Sequence, residues 1–151
     1  MNQIHRETLE EEATHVTDEA RMVLPGVQAV LGFQLVAVFN QRFQDLSSAE
    51  QVLHLVAFLL VALAMGLMMT PAAYHRQVER GRVSRRFVEL SSTLLTIAML
   101  PLIGGVCLDT YLISRLILGA PETATMAAGV VAIVLAGLWY ALPAVCRRLK
   151  D

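Results

Sequence analysis

Polar side chains within otherwise apolar stretches are the residues from which chemistry can be inferred here. Three amides, Gln28, Gln34 and Asn40, lie in or just after the first apolar stretch, and a carboxylate, Asp109, follows the third. Ionisable groups at membrane depth are costly and usually functional, and a ring of carboxylates from several copies of a chain attracts cations. These four residues are therefore the candidate lining of a pore or polar path.

Each candidate also has a purely structural interpretation. Gln28 and Gln34 could hold neighbouring helices together through hydrogen bonds. Asp109 could be an interfacial acid that pairs with Arg115 or with water, or it could lie inside the membrane if the third span continues to about residue 118. His54, at the start of the second stretch, is a candidate pH sensor because the ordinary pKa of histidine is near 6.5. Alternatively, it is an interfacial histidine with ordinary hydrogen bonds.

Signatures of catalysis and of cofactor binding are absent from the sequence. It contains no G-x-S-x-G, no P-loop and no H-E-x-x-H. Cys107 and Cys146 stand alone in apolar surroundings, and two isolated cysteines do not make a metal site. His54 and His75 are expected at opposite ends of the membrane, so one chain cannot use them as a pair of ligands. We expect no enzymatic activity, no cofactor and no metal.

The elements that must position these residues follow from the distribution of apolar residues. Of 151 residues, 56% are hydrophobic and 17% are charged, and the net charge is −1, which argues against a nucleic-acid binder. Charge-free runs of 18, 18, 19 and 23 residues occupy positions 22–39, 52–69, 90–108 and 124–146. Because a helix rises about 1.5 Å per residue and a bilayer core is about 30 Å thick, each run can span a membrane or nearly so.

The basic residues predict the orientation of these four spans. Ten of the twelve lysines and arginines fall on the side that carries the N-terminal segment, the 70–89 loop and the C-terminal tail, and the other two loops hold only Arg42 and Arg115. The positive-inside rule therefore places both termini in the cytoplasm.

The pattern of the N-terminal segment, residues 1–21, predicts an acidic amphipathic helix with six acidic residues and two arginines. It could lie on the membrane surface, lead into the first span, or dock on the basic loop within or between subunits. We expect the loop to bind either that segment or anionic lipid. Its basic cluster consists of Arg76, Arg80, Arg82, Arg85 and Arg86.

Two motifs carry a resemblance to a known family. L-P-G-V-Q occupies positions 24–28 and is followed by Gly32-Phe33, and P-A-A-Y-H-R occupies positions 71–76. Together they resemble a family of small four-span bacterial membrane proteins catalogued as a domain of unknown function. The resemblance implies a four-span topology in a bacterial inner membrane, and no activity. It marks the following positions for testing: Pro25, Gly26, Gln28, Tyr74, His75 and Arg76.

The sequence thus predicts an all-α integral membrane four-helix bundle. It comprises an acidic helix (1–21), a four-span domain (22–146) and a basic cytoplasmic tail (147–151). A homo-oligomer is expected because Ala128, Ala132 and Ala136 form a small-residue face on the fourth span. The leading functional hypothesis is a small oligomeric channel or transporter. The alternative is a non-catalytic accessory or scaffold subunit that binds an unknown protein partner through its acidic helix and basic loop.

Overall fold

Every regular element in the part of the chain that the structure describes is helical. The computed structural model describes residues 8–79 and 83–149. Four helices are long and apolar enough to cross a membrane: α1 (Leu9–Val38), α2 (Ser48–Val78), α3 (Arg85–Leu118) and a fourth, Pro121–Arg148. The fourth consists of α4 (Pro121–Ala136), a π-helical turn (Gly137–Ala141) and α5 (Leu142–Arg148). The predicted all-α bundle of four span-length helices is therefore confirmed.

Side-chain caps define where these helices begin. Capping boxes of the type Ser/Thr-x-x-Glu are formed by Thr8 with Glu11 and by Ser47 with Glu50. α3 ends at Gly119, whose φ of 73° is a left-handed conformation that only glycine adopts without strain.

The helices extend beyond the charge-free runs. From residue 9 onward, the acidic segment leads directly into the first span as one helix, with no break near Arg21, while residues 1–7 lie outside the described part. α2 continues through Pro71 to Val78, and α3 continues past Asp109 to Leu118. Charged residues such as Glu, Lys and Arg are good helix formers, so a charge-free run marks the apolar stretch and not the ends of the helix.

The bundle is centred on a close crossing of α2 and α3. α1 packs on both of them, and α4 packs chiefly on α3. A Cβ added at Gly105 of α3 would lie 2.6 Å from Val61 Cγ2 and 3.1 Å from the carbonyl oxygen of Ala57, so glycine is needed for this approach. The apolar core beside this crossing is formed by Val27, Val61, Ala64, Met68, Leu95, Ala98 and Leu102.

The fourth span-length helix has an irregular turn where it passes α3. Pro143 has no N–H to donate, and within the preceding π-helical turn the Leu142 N–H donates to the Gly137 carbonyl five residues earlier. Tyr140, in this turn, donates its hydroxyl to the Thr96 carbonyl at 2.7 Å. This hydrogen bond ties the helix to α3.

Candidate functional site

The up-and-down course of the chain gives the bundle two ends. We call the end with the short 3-10 turn Gln41–Asp45 and the α3–α4 connection the loop end, and the opposite one the terminal end. Gln34 lies in the last turns of α1, His54 in the second turn of α2 and Asp109 in the second half of α3. Because successive helices run in opposite directions, all three residues lie towards the loop end.

These three side chains form one cluster, which we call the polar cluster. Gln34 Nε2 donates a hydrogen bond to Asp109 Oδ2 at 2.7 Å. His54 Nε2 lies 2.9 Å from the backbone carbonyl oxygen of Gln34, and His54 Nδ1 lies 3.8 Å from Asp109 Oδ1. Gln34 and His54 are only 4% and 8% exposed. Three different helices are thus joined by buried polar contacts.

The hydrogen bonds of the polar cluster determine where protons can sit. A carbonyl oxygen only accepts, so the Gln34 carbonyl assigns the proton of a neutral His54 ring to Nε2. Nδ1 then turns a lone pair towards Asp109 Oδ1, and two acceptors face each other. Gln34 Oε1 is also buried, with no hydrogen-bond partner among the described residues. The polar cluster therefore has more hydrogen-bond acceptors than donors. Either a bound proton or a cation that carries N–H groups would satisfy them.

The polar cluster forms the base of a cavity of about 470 Å³ between α1, the 3-10 turn and α3. Phe43 of the 3-10 turn meets the His54 ring edge-on, with 5.3 Å between ring centroids. Apart from the polar cluster, Asn40, Arg42 and Thr110, the walls are apolar. They consist of Val30, Phe33, Ala37, Phe43, Leu46, Val106, Leu112, Ile113 and Leu116.

An ion pair stands near the loop end beside the polar cluster. Arg115 Nε lies 3.1 Å from Glu50 Oε1, which links α3 to the first turn of α2. One sequence-based interpretation pairs Asp109 with Arg115. The structure corrects it, because Arg115 forms its ion pair with Glu50, whereas Asp109 contacts Gln34 and His54.

The predicted polar-path residues do not all meet. Gln34 and Asp109 are in contact, and Asn40 lines the same cavity while its side-chain oxygen caps the 3-10 turn by accepting from the Arg42 N–H. Gln28 lies on an exposed face of α1, away from the cavity. Within one chain, Gln28 therefore does not join the other three candidates.

The terminal end holds the residues of the second family-like motif. Tyr74 stacks on Phe87 with 6.3 Å between ring centroids, and His75 is tilted against the same ring at 5.3 Å. Phe87 and Val88 also pack against Ala13 of α1. These contacts tie the end of α2 and the acidic segment to the start of α3. The first motif differs, because Pro25 and Gly26 lie on an exposed face of α1.

Apolar contacts hold the acidic segment to the bundle in the described part of the chain. Two ion pairs at the terminal end, Arg21 with Asp18 and Arg85 with Glu89, each lie within a single helix. Within the basic cluster, Arg76, Arg85 and Arg86 are exposed and Arg80 and Arg82 lie outside the described residues.

Sequence reasoning missed the contact between His54 and Asp109 and the presence of Phe43 beside them. His54 had been considered as a sensor by itself and Asp109 as part of a pore. The available signal was topological: residues near the end of a first span, the start of a second and the end of a third share one end of an up-and-down bundle. No sequence signal gives the rotation of each helix that turns the three side chains towards one another.

Fold and site together define a helical protein with four span-length helices and a buried polar cluster beneath an apolar cavity. Among the described residues, no group of three or more His, Cys, Asp or Glu side chains could hold a metal ion. A model of a family of unknown function, DUF6328, matches residues 2–143, and the chain belongs to this family. Comparison with curated proteins and with solved structures finds no match.

Proposed function

We propose that this protein is a small transport protein, a channel or transporter, in which the polar cluster binds the transported cation. The observation that carries the proposal is the meeting of Gln34, His54 and Asp109, from three helices, at the base of an open cavity. Ionisable side chains placed inside a membrane bundle commonly mark ion or substrate pathways. We assign no catalytic role to any residue.

The proposed location is a bacterial inner membrane, with both termini in the cytoplasm. Ten of twelve basic residues lie on the N-terminal, 70–89 and C-terminal stretches, which supports this orientation. The cavity then opens in the outer half of the membrane. On its cytoplasmic side, the apolar core of Val27, Val61, Met68 and their neighbours fills the space between the helices. Such a site is reached from one side at a time, so transport requires a movement of the helices.

The cation site of this proposal lies within one chain. Asp109 contacts Gln34 and His54 of its own chain, which favours an internal site over a ring of carboxylates around an oligomer axis. A homo-oligomer remains a prediction. It is supported by the apolar outer face of α4, where Met126, Val130 and Ile133 are exposed. The mass of the protein–detergent complex tests it.

Flux into liposomes tests the proposed function. Purified protein is reconstituted, and uptake of protons, sodium, potassium, ammonium and benzylammonium is measured for the wild type, Asp109→Asn and Glu122→Gln. Glu122 is the matched control, because it is an exposed carboxylate at the start of α4, outside the cavity. We expect a cation flux that Asp109→Asn abolishes and Glu122→Gln preserves. Equal flux in wild type and Asp109→Asn, or no flux of any of these ions, would contradict the proposal.

A second candidate function is that of a non-catalytic accessory or scaffold subunit. It is favoured by the acidic face of α1: Ala13 packs inward, and this leaves Glu10, Glu12, Asp18 and Glu19 exposed. The exposed arginines of the basic cluster offer a second surface, for anionic lipid or for protein. Absence of flux, together with a partner that the wild type retains in a pull-down and a variant with these acids neutralised does not, would favour this candidate.

A further inference from the structure

We propose that the cavity binds a primary ammonium ion that carries a single positive charge and an apolar body. This inference deepens the proposed function, on which it rests, by naming the class of cation that the polar cluster recognises. It is carried by two independent features of the cavity, namely the unsatisfied acceptors at its base and the apolar character of its walls.

The acceptors at the base match the donors of a primary ammonium group. With a neutral imidazole, His54 Nδ1 has a free lone pair, and Gln34 Oε1 is buried without a partner among the described residues. Asp109 Oδ1 adds a third acceptor and the negative charge. A primary ammonium has three N–H donors, one for each. A hard metal cation would prefer a shell of oxygen ligands, which the apolar walls do not supply.

The walls indicate the rest of the ligand. A volume of about 470 Å³ greatly exceeds that of an ammonium group, and Val106, Leu112 and Ile113 make this space apolar. Ligand sites of this kind use apolar walls for the body of the ligand and a few polar groups for its orientation. Phe43, beside His54, also offers an aromatic ring to the cation. The ligand is therefore a monoamine with an aromatic or aliphatic body.

The charge near the cavity selects against a second cationic group. Arg42 lines the cavity from the exposed 3-10 turn, so a diamine would bring its second charge towards a guanidinium. Arg115 is engaged with Glu50. Phe33 of α1 and Ile113 of α3 line the cavity and are exposed on the outside of the bundle, so an amine with an apolar body has a route to the site from within a bilayer.

Calorimetric titration of the purified full-length protein in detergent tests the inference. Benzylammonium is the probe, and benzyltrimethylammonium is the comparison, because it has the same body and charge but no N–H donor. We expect saturable binding of one benzylammonium per chain, at least about tenfold tighter than the quaternary ion, since buried acceptors left unpaired are costly. Equal affinity for the two ions, or no saturable binding, overturns the inference.

Two variants connect the binding to the cavity. Asp109→Asn should weaken benzylammonium binding by at least about tenfold, because a hydrogen-bonded charge pair is lost, and Glu122→Gln should leave it unchanged. Ile113→Trp puts a larger side chain at an exposed position that lines the cavity. We expect this variant to fold normally and to block binding. Unchanged binding in Ile113→Trp or in folded Asp109→Asn would contradict the proposed site.

The binding experiment fails separately from the flux experiment. Asp109-dependent flux of a small inorganic cation without benzylammonium binding would overturn the ligand class and leave the transport function standing. Saturable, Asp109-dependent binding without flux of benzylammonium or any other cation would overturn transport and leave the binding site standing.

Discussion

Replacing Gly105 with alanine is the sharpest test of how the bundle positions the polar cluster. The new Cβ would lie 2.6 Å from Val61 Cγ2 and 3.1 Å from the Ala57 carbonyl oxygen. Neither neighbour can move cheaply, because Val61 and Ala57 are fully buried and one of the contacts is with backbone. α2 and α3 must therefore separate slightly. Asp109 lies one turn further along α3, so the same displacement reaches its contacts with His54.

The expected magnitude follows from two opposing effects. Overpacking a well-packed core costs about 1–3 kcal/mol, whereas replacing glycine by alanine within a helix returns about 1 kcal/mol. The difference is a net loss of about 0–2 kcal/mol. Because one of the close contacts is with a backbone oxygen, we expect Gly105→Ala to lower the free energy of unfolding by about 1–2 kcal/mol.

Gly66→Ala is the matched control for this substitution. Gly66 is also inside a span-length helix, but it is exposed and a Cβ there would meet nothing within 4 Å. It should leave stability unchanged or slightly raised. Val61→Ala removes the clashing methyl group. Gly105→Ala should therefore cost less stability when it is added to Val61→Ala than when it is made in the wild type. Unfolding is followed by circular dichroism in detergent during titration with sodium dodecyl sulfate. Equal stability of Gly105→Ala and Gly66→Ala would refute the close crossing of α2 and α3.

Three further predictions concern other contacts of the bundle. Tyr140→Phe removes the hydrogen bond to the Thr96 carbonyl and should cost about 1 kcal/mol in the same unfolding titration; no change would mean that this bond does not anchor the fourth helix. Hydrogen bonds from the Ser84 hydroxyl and N–H lower the pKa of Glu79 below its ordinary value of 4.5. These hydrogen bonds should therefore stabilise the folded protein above that pH, and the stabilisation should fade as the pH falls further. Glu79→Gln should reduce this pH dependence of the unfolding free energy. Phe87→Ala should cost about 3 kcal/mol and speed hydrogen exchange in residues 9–17, because the ring packs between α2 and α1; unchanged exchange would argue against this docking.

Sequence patterns predicted the span-length helices because each pattern reports a local property. A charge-free run of about 20 residues reports the apolar length of one helix, and a Ser or Thr three positions before Glu acts within one helical turn. The Ser/Thr-x-x-Glu spacing at Thr8 and at Ser47 forms a capping box in each case for this reason. α1 and α2 are longer than the charge-free runs, and each continues through an internal proline, Pro25 and Pro71.

The site was only half predicted, because it depends on the rotation of three helices about their axes. Gln34, Asp109 and His54 were each selected as polar residues in apolar surroundings, which is a property of each residue alone. Their contacts depend on the close crossing of α2 and α3 at Gly105, where the absence of a side chain lets the two helices approach each other. Spacing within one helix does not specify that crossing. Gln28, by contrast, was selected in the same way and lies on the exposed face of α1, outside the cavity.

Charge also predicted less than apolar pattern at the terminal end. Opposite net charges on the acidic segment and the basic loop suggested electrostatic docking. Among the described residues, Ala13 packs against Phe87 and Val88. Exposed ion pairs are individually weak, whereas a buried aromatic ring contributes several kcal/mol. The apolar face of α1 was therefore the better guide to what this segment contacts.

The most direct test of the polar cluster as one functional unit is a double-variant measurement of cation flux. Asp109→Asn, Gln34→Leu and the combined variant are reconstituted at equal density, and the initial rate of benzylammonium uptake is measured for each. Residues that act as a unit have non-additive effects. We expect each single variant to lose most of the flux and the double variant to be no slower than Asp109→Asn alone. Flux losses that multiply in the double variant, or full flux in Asp109→Asn, would contradict a shared cation site.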